Sequence, residues 1–320
     1  MNSPVWLIGA GTMAREYAKV LMAQGRDFLI IGRGRDCARQ CELETGCPVA
    51  TGGLADFLGH TPAPRRAIVC TGVQDLAGTT LELLRAGTPR LLVEKPGGLD
   101  TAQIAAVDRA ARAAGAGVYL AYNRRFFAST RQARRCIAED GGVRSFCFEF
   151  TEWSHVVEAL PHCPEVKARW FLANSSHVAD LAFFLGGDPA EFHCRVAGGL
   201  PWHPSGSAFT GCGVSNSGAL FSYLADWDAP GRWGVEVLTA KRRFFLKPME
   251  KLMVQAKGGV AVEPVAIDDR LDLEFKPGLY RQVRAFLEDD LGDFRSIASQ
   301  SGLAAAYDAM AGYAPLTTFP

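Results

Sequence analysis

Between residues 5 and 122, short unbroken apolar runs alternate with stretches in which apolar residues recur every three or four positions. Val5, Trp6, Leu7 and Ile8 form one such run, and Met13, Tyr17, Val20 and Leu21 follow it at helical spacing. Runs return at Phe28 to Ile31, Ala67 to Cys70, Leu91 to Val93 and Gly117 to Tyr122. A run with no polar side belongs to a strand covered on both faces, and strands separated by single helices predict a doubly wound parallel α/β sheet. Leu76, Thr80, Leu83 and Leu84 make one face of a helix closed by Gly87. Asp100 and Gln103 read as a capping box for a helix whose inner face is Ile104, Val107, Ala111 and Ala114. This first domain is predicted over residues 1–123.

Over residues 124–320 the period shifts to two. Phe146, Phe148 and Phe150 alternate with Cys147, Glu149 and Thr151, and Phe221, Tyr223 and Trp227 with Ser222, Leu224 and Asp226. Such half-buried strands predict a mainly antiparallel sheet with one open face. Further strands are expected at 233–246, 251–256 and 260–267, with helices at 280–287 and 299–310, giving an α+β second domain. The open face and its loops are expected to carry Trp153, His155, Lys167, Arg169, Trp170, Trp202, His203, Trp227 and Arg232. Aromatic faces can stack on sugar rings and basic side chains can hold phosphate or carboxylate; the same aromatics also suit a core or an oligomer interface.

Composition narrows the classes. At 320 residues the chain exceeds one ordinary core, which agrees with two domains. Hydrophobic residues at 48% and charged residues at 21% exclude a disordered or fibrous chain, and a net charge of +0 argues against nucleic acid as the main partner. No apolar run approaches the length of a membrane span, and Met1 to Pro4 lead straight into the first run, so a cytoplasmic protein is expected. The nine cysteines are an odd number without a C-x-x-C pair, as expected of reduced thiols. The adjacent pairs His162-Cys163 and His193-Cys194 match no usual zinc spacing, so no metal site is expected.

The first run breaks into Gly9-Ala10-Gly11-Thr12-Met13-Ala14, a G-x-G-x-x-A at a strand-to-helix turn. There Gly9 would permit the tight turn, Gly11 would let backbone approach a pyrophosphate, and Ala14 would let helix and strand pack, with phosphates on the free N–H groups of the helix start. After the second run, where an NAD-binding unit would carry an acid for the ribose hydroxyls, stand Gly32 and Arg33. Gly32 leaves room for a 2′-phosphate, and Arg33, with Arg35 nearby, can hold it. NADP(H) is therefore the expected cofactor and NAD(H) the alternative.

Glu94-Lys95-Pro96 follows the Leu91 to Val93 strand. Ligands of open α/β sheets bind at the carboxyl ends of strands, so Lys95 can reach a bound nicotinamide and donate to a substrate oxygen. Asn174, His177 and Asp180 are spaced by three in a helix predicted from Asn174 to Leu185, and so fall near one side of it. A histidine there suits proton exchange near neutral pH.

Taken in order, Gly9 to Ala14, Glu94-Lys95-Pro96, Tyr122-Asn123-Arg124-Arg125-Phe126 and His177-Val178-Ala179-Asp180 resemble the glucose-fructose oxidoreductase/inositol dehydrogenase (Gfo/Idh/MocA) family over essentially the whole chain. The resemblance implies a Rossmann domain followed by an open-faced sheet, and NAD(P)-dependent chemistry at a CH–OH or C=O carbon of a sugar, cyclitol or nucleotide-sugar. It implies catalytic roles for Lys95 and His177, and a cis Lys95–Pro96 bond. Cofactor contacts are expected at Gly9, Gly11, Thr12, Met13, Arg33, Thr71, Gly72, Gln74, Glu94, Lys95 and Asn123. Substrate contacts are expected at Tyr122, Arg124, Trp153, Arg169, Asn174 and Asp180, with a homodimer or homotetramer formed through the second sheet. Two departures stand out. Many members carry Asp four residues before this His, where the chain has Ala173, so Asn174 or Asp180 would have to compensate. The loop Cys70 to Gln74 also lacks the family's frequent Pro and His. The competing readings are a non-catalytic NADP-binding regulatory protein and a reductase of a non-sugar substrate on the same fold.

Overall fold

A computed structural model describes residues 3–313. In chain order the strands and helices are β1 (Val5–Ile8), α1 (Thr12–Ala23), β2 (Phe28–Ile31), α2 (Arg35–Thr45), β3 (Val49–Ala50), α3 (Leu54–Leu58), β4 (Arg66–Val69), α4 (Leu76–Arg85), β5 (Arg90–Val93), α5 (Thr101–Ala114) and β6 (Gly117–Leu120). Then follow α6 (Ala128–Glu139), β7 (Ser145–Glu149), α7 (Ser154–Ala159), α8 (Pro164–Lys167), α9 (Ser176–Gly186), β8 (Pro189–Ala197), β9 (Ala208–Ser215), β10 (Leu220–Asp226), β11 (Gly234–Leu238), β12 (Arg242–Leu246), β13 (Met253–Ala256) and β14 (Glu263–Pro264). The chain closes with α10 (Arg270–Glu274), α11 (Leu279–Leu287), β15 (Arg295–Ser296), α12 (Ile297–Gly302) and α13 (Ala304–Ala311).

Two compact units emerge: Met1–Asn123 with Leu271–Gly302, and Arg124–Arg270 with Leu303–Pro320. The first unit holds a sheet in the order β15-β6-β5-β4-β1-β2-β3, parallel throughout except for β15 against β6. Leu7, Ile68 and Leu92, on the inner strands, are fully buried, as strands covered on both faces require. Asp100 caps α5 as predicted: its carboxylate accepts from the Gln103 N–H at 2.8 Å, while Gln103 Oε1 accepts from the Leu99 N–H at 2.9 Å.

The return of Leu271–Gly302 to the first unit corrects the uninterrupted second domain expected over 124–320. β6 is left with an unpaired edge, and Arg295 pairs with Leu120 there. Leu279, Val283 and Phe286 of α11 bury their apolar stripe, and Gln24 Nε2 donates to the Tyr280 carbonyl at 2.8 Å. The helix expected at 299–310 accordingly divides at Leu303 into α12 and α13, where the chain leaves the unit.

The second unit holds a sheet in the order β14-β13-β12-β11-β7-β10-β9-β8, antiparallel except for β7 with β10. Its buried face is an aromatic ladder. Phe146 stacks on Phe221 at 5.4 Å and Phe148 on Tyr223 at 5.3 Å, and Phe183 of α9 meets Phe148 edge-on at 5.5 Å. Gly186 ends α9 where a Cβ would lie 2.3 Å from the Phe146 ring, so helix and sheet approach as closely as a bare backbone allows.

Three expectations for this unit change. The segment 233–246 is a hairpin of β11 and β12, because Thr239 Oγ1 accepts from the N–H groups of Lys241 and Arg242 and turns the chain. Of 260–267 only β14 pairs, and Val260 is 93% exposed, with no partner face to bury it. The open face of the sheet carries Leu220 and Leu224, more than 60% exposed, whereas Trp170, Trp202, His203 and Trp227 lie in the core. His203 is held there by the Gly206 carbonyl at 2.7 Å and the Tyr313 hydroxyl at 3.0 Å.

The unit also buries a complete ion pair. Arg125 Nε and Nη2 donate to the two carboxylate oxygens of Asp180 at 2.7 and 2.6 Å, and the guanidinium lies over the Phe184 ring. Replacing Arg125 by Leu removes both of these hydrogen bonds from a buried carboxylate, so the variant should unfold about 3–5 kcal/mol more easily in urea. A loss below about 1 kcal/mol would mean that the pair contributes no more than a surface one.

Candidate functional site

In the first unit the carboxyl ends of β1, β2, β4 and β5 form one edge of the parallel sheet, and the predicted groups of this unit emerge from it. Hydrogen bonds continue past the strands: Gly9 N–H donates to the Ile31 carbonyl, Cys70 N–H to that of Ile8, and Glu94 N–H to that of Val69, at 2.8 to 2.9 Å. Gly9 adopts φ +130°, and a Cβ there would stand 2.8 Å from the Cys70 carbonyl oxygen. Gly11, by contrast, has open space where its Cβ would be, at the start of α1. The first N–H groups of a helix have no intrahelical partner, and glycine offers no capping side chain, so the start of α1 suits an anionic group. Ala14 is fully buried beneath it. Thr12 is exposed and Met13 partly so, both in the first turn of α1.

Gly32 is glycine for a reason different from the one expected. A Cβ there would meet Ala10 Cβ at 3.0 Å and Val49 Cγ1 at 3.2 Å, so a side chain of any kind would require these neighbours to give by a few tenths of an ångström. Arg33, next to it, is 80% exposed, and its only ion pair among the described residues is with Asp75 at 3.3 Å. A pair of that kind is worth about 0–1 kcal/mol, so the guanidinium can turn to a stronger partner. Thr71 and Gly72 lead from β4 into the short turn of Val73–Asp75, where Gln74 Nε2 reaches Asp75 at 3.4 Å.

Lys95 leaves the end of β5 through a cis bond to Pro96. Behind it, Tyr17 of α1 donates its hydroxyl to Glu94 Oε1 at 2.8 Å. Burial pushes the Glu94 carboxyl up, an effect that Lys95 opposes, and it pushes the Tyr17 hydroxyl well up, with Glu94 adding to the shift. Tyr122 and Asn123 depart from their expected roles. Tyr122 is fully buried with its hydroxyl accepting from Gln300 Nε2 at 3.0 Å, and Asn123 spends its Nδ2 on the Pro277 carbonyl at 2.9 Å. In this structure both hold the return segment in place.

In the second unit the helix expected from Asn174 begins instead with a π-helical turn, Phe171–Ser175, followed by α9. Such turns are rare and are often found at functional sites. Asn174, His177 and Asp180 are therefore committed separately. Asp180 is consumed by Arg125, which corrects its expected place among the substrate groups. The His177 ring lies 6.4 Å from Trp233, and Arg124 stacks on the same indole at 4.8 Å. Asn174 Nδ2 donates to Glu152 Oε1 at 3.0 Å, and Ser175 Oγ donates to the same oxygen at 2.6 Å. Trp153 stands 46% exposed with Arg232 over its face at 4.6 Å, and Arg169 lies over the Tyr313 ring.

Glu152 is the residue that sequence reasoning missed. It is 4% exposed, and burial pushes its carboxyl up to about 7 against the hydrogen bonds from Ser175 and Asn174 and the nearby Arg232. The signal was present: Phe146, Phe148 and Phe150 point inward at every second position, and Glu152 continues the same parity. A cavity of about 510 Å³ is lined by Glu152, Trp153, His155, Trp227 and Asp228 among others. No helix among the described residues is long and apolar enough to cross a membrane.

No protein-family model matches the chain, and no curated protein does. Solved structures do. An oxidoreductase from Agrobacterium radiobacter, in complex with NAD+, L-tartaric acid and magnesium, superposes with a TM-score of 0.79 at 16% identity, over 97% of this chain and 95% of that one. A levoglucosan dehydrogenase in complex with NADH and levoglucosan gives 0.79 at 17%, over 97% and 96%. A UDP-N-acetylglucosamine 3-dehydrogenase from Acidithiobacillus ferrooxidans gives 0.73 at 16%, over 97% of each. The chain thus has the two-domain fold of these oxidoreductases.

The two turn glycines should separate in a stability measurement. Gly9→Ala adds strain of about 1–3 kcal/mol at its positive φ, besides the clash with Cys70, and should lower the unfolding midpoint clearly. Gly11→Ala should stay within about 0.5 kcal/mol of the parent. Equal losses from both would show that the turn is not held by the Cys70 contact.

Proposed function

We propose that this protein is an NADP(H)-dependent oxidoreductase of the Gfo/Idh/MocA type, acting at a CH–OH or C=O carbon of a sugar, cyclitol or nucleotide-sugar. The observation that carries the reading is the shared edge of the first unit. The glycine turn after β1, Arg33 after β2 and Lys95 after β5 all leave the carboxyl side of one parallel sheet. The residues fit a dinucleotide: Gly11 faces open space at the start of α1, and no acid follows β2 to repel a 2′-phosphate. The ligands in the similar solved structures, NAD+ with L-tartaric acid and NADH with levoglucosan, support a nicotinamide cofactor and a polyhydroxylated substrate. The preference for NADP(H) rests on Arg33 and on the lack of an acid directly after β2.

When bound, the nicotinamide supplies hydride transfer to or from the reacting carbon. The chain's own groups then have distinct tasks. Backbone N–H groups at Gly11, Thr12 and Met13 would hold the pyrophosphate, and Arg33, now paired with Asp75, would hold the 2′-phosphate. The loop of Thr71, Gly72 and Gln74 borders the cofactor. Lys95 donates a proton to the substrate oxygen on reduction, or withdraws one on oxidation, and its ammonium stabilises developing negative charge there. His177 exchanges that proton with solvent, and Asn174 orients a substrate hydroxyl. Arg124, Trp153 and Arg169 remain substrate-side candidates, and the open sheet face with Leu220 and Leu224 is the proposed face for a homodimer or homotetramer.

Two variants test this reading. Arg33→Ser removes charge-assisted hydrogen bonds worth about 1.5–3 kcal/mol, so NADPH affinity should fall about 10–100-fold by fluorescence titration while NADH affinity holds. A parent that binds NADH more tightly than NADPH refutes the cofactor assignment. Lys95→Met should lower kcat on a panel of sugars, cyclitols and nucleotide-sugars by about 10²–10⁴-fold with cofactor binding retained. Cofactor binding by the parent without turnover on any of them would favour the regulatory reading instead.

A further inference from the structure

The least economical group in the second unit is the Glu152 carboxylate. Asp180, equally buried, is neutralised by a bidentate arginine. Glu152 receives two hydrogen bonds, from Ser175 Oγ and Asn174 Nδ2, both on Oε1, and no ion pair among the described residues. A glutamine or an apolar residue would fill the same space without a buried acid, so a purely structural role leaves its identity unexplained. Its partners point to an alternative. Asn174 stands three positions before His177 and is only partly buried, and its Oδ1 accepts from no described residue. Asn174 therefore has one end fixed by Glu152 and the other available.

We propose that Glu152 is a positioning residue that sets which end of the Asn174 amide faces substrate. Ionised, Glu152 holds Nδ2 and leaves Oδ1 to accept from a substrate hydroxyl. Protonated, it donates its own O–H to Oδ1, and the amide turns to present N–H instead. The substrate role rests on the reading under Proposed function, whereas the Glu152–Asn174 coupling does not.

The groups facing Glu152 are few. Ser175 and Asn174 come from the π-helical turn, the Trp170 indole from the residue before it and Arg232 from the segment before β11, and His155, Glu158 and Asp228 share its cavity. Burial sets the carboxyl near 7, so the amide switches within an accessible range, with the hydroxyl-accepting form on the alkaline side.

The coupling is read on the ligand-free protein from the Asn174 side-chain N–H cross-peaks, assigned by their loss in Asn174→Ala and followed from pH 5.5 to 8.5. The parent should show one step near neutrality. In Glu152→Gln the step should vanish. In Ser175→Ala, which removes a donor to the carboxylate, it should move alkaline by about one pH unit, and this second variant carries the test should Glu152→Gln fail to fold. A flat parent profile, a step that survives Glu152→Gln, as one from His177 would, or an unmoved midpoint in Ser175→Ala overturns the proposal. In the turnover assay, the parent's kcat/KM should fall about tenfold per pH unit below the step, while Glu152→Gln loses the component that follows the amide step. A parent kcat/KM that is level through neutrality removes the substrate role. Absence of turnover on every substrate sinks the proposed function and leaves the amide step as the measure of the coupling.

Discussion

The first unit depends on how closely the turn after β1 approaches the end of β4. Gly9 lies against the Cys70 carbonyl with no space for a Cβ, and that contact lets both chain ends keep their hydrogen bonds to neighbouring strands. Because those bonds persist, α1 starts directly above the sheet edge instead of after a loose loop. Gly11 then presents bare backbone to solvent, and Ala14 seals helix to strand. Tyr17, one turn further along α1, reaches Glu94 and ties the helix to the segment that carries Lys95. A fault at one glycine would spread through α1 to the candidate proton donor, without touching the donor itself.

The second unit is organised by the opposite treatment of two buried carboxylates. Asp180 is matched by Arg125 in charge and in geometry, with both oxygens bound by one planar fork. A pair so complete holds α9 to the chain just after Asn123 and has nothing left to offer a ligand. Glu152 is matched by a hydroxyl and an amide, which bind it without neutralising it. The fully paired acid belongs to the scaffold. The one left near its switching point is where conformational or proton chemistry can occur.

The sheet of the first unit was legible because a βαβ unit writes its period and its turn into adjacent residues. Val5 to Ala14, the Asp100 cap and the Glu94-Lys95-Pro96 segment are each local, and each lies where the pattern put it. What failed was non-local. Nothing local marks Leu271–Gly302 as crossing back to pair with β6, because an edge strand of two residues has no period of its own. The neighbours of Tyr122 in the motif point to a ligand contact, while its buried hydroxyl is bound by Gln300, far along the chain. Gly32 shows the same limit in another form. Its close neighbours are Ala10 and Val49, which only the packed sheet brings against it.

Asn174 and Asp180 were grouped by the spacing of a regular helix, and that grouping fails for a physical reason that also explains Glu152. A π-helical turn inserts an extra residue into the helical repeat, so positions on either side of it no longer share a face at the usual intervals. Phe171–Ser175 is such a turn, and Asn174 and Ser175 lie at its end. Both reach the acid on the neighbouring strand exit, while α9 carries Asp180 round to Arg125. An uninterrupted helix would not hold both commitments through the same backbone. The irregular turn is thus the element that allows one buried acid to be fully paired while the other is met by hydroxyl, amide and indole groups.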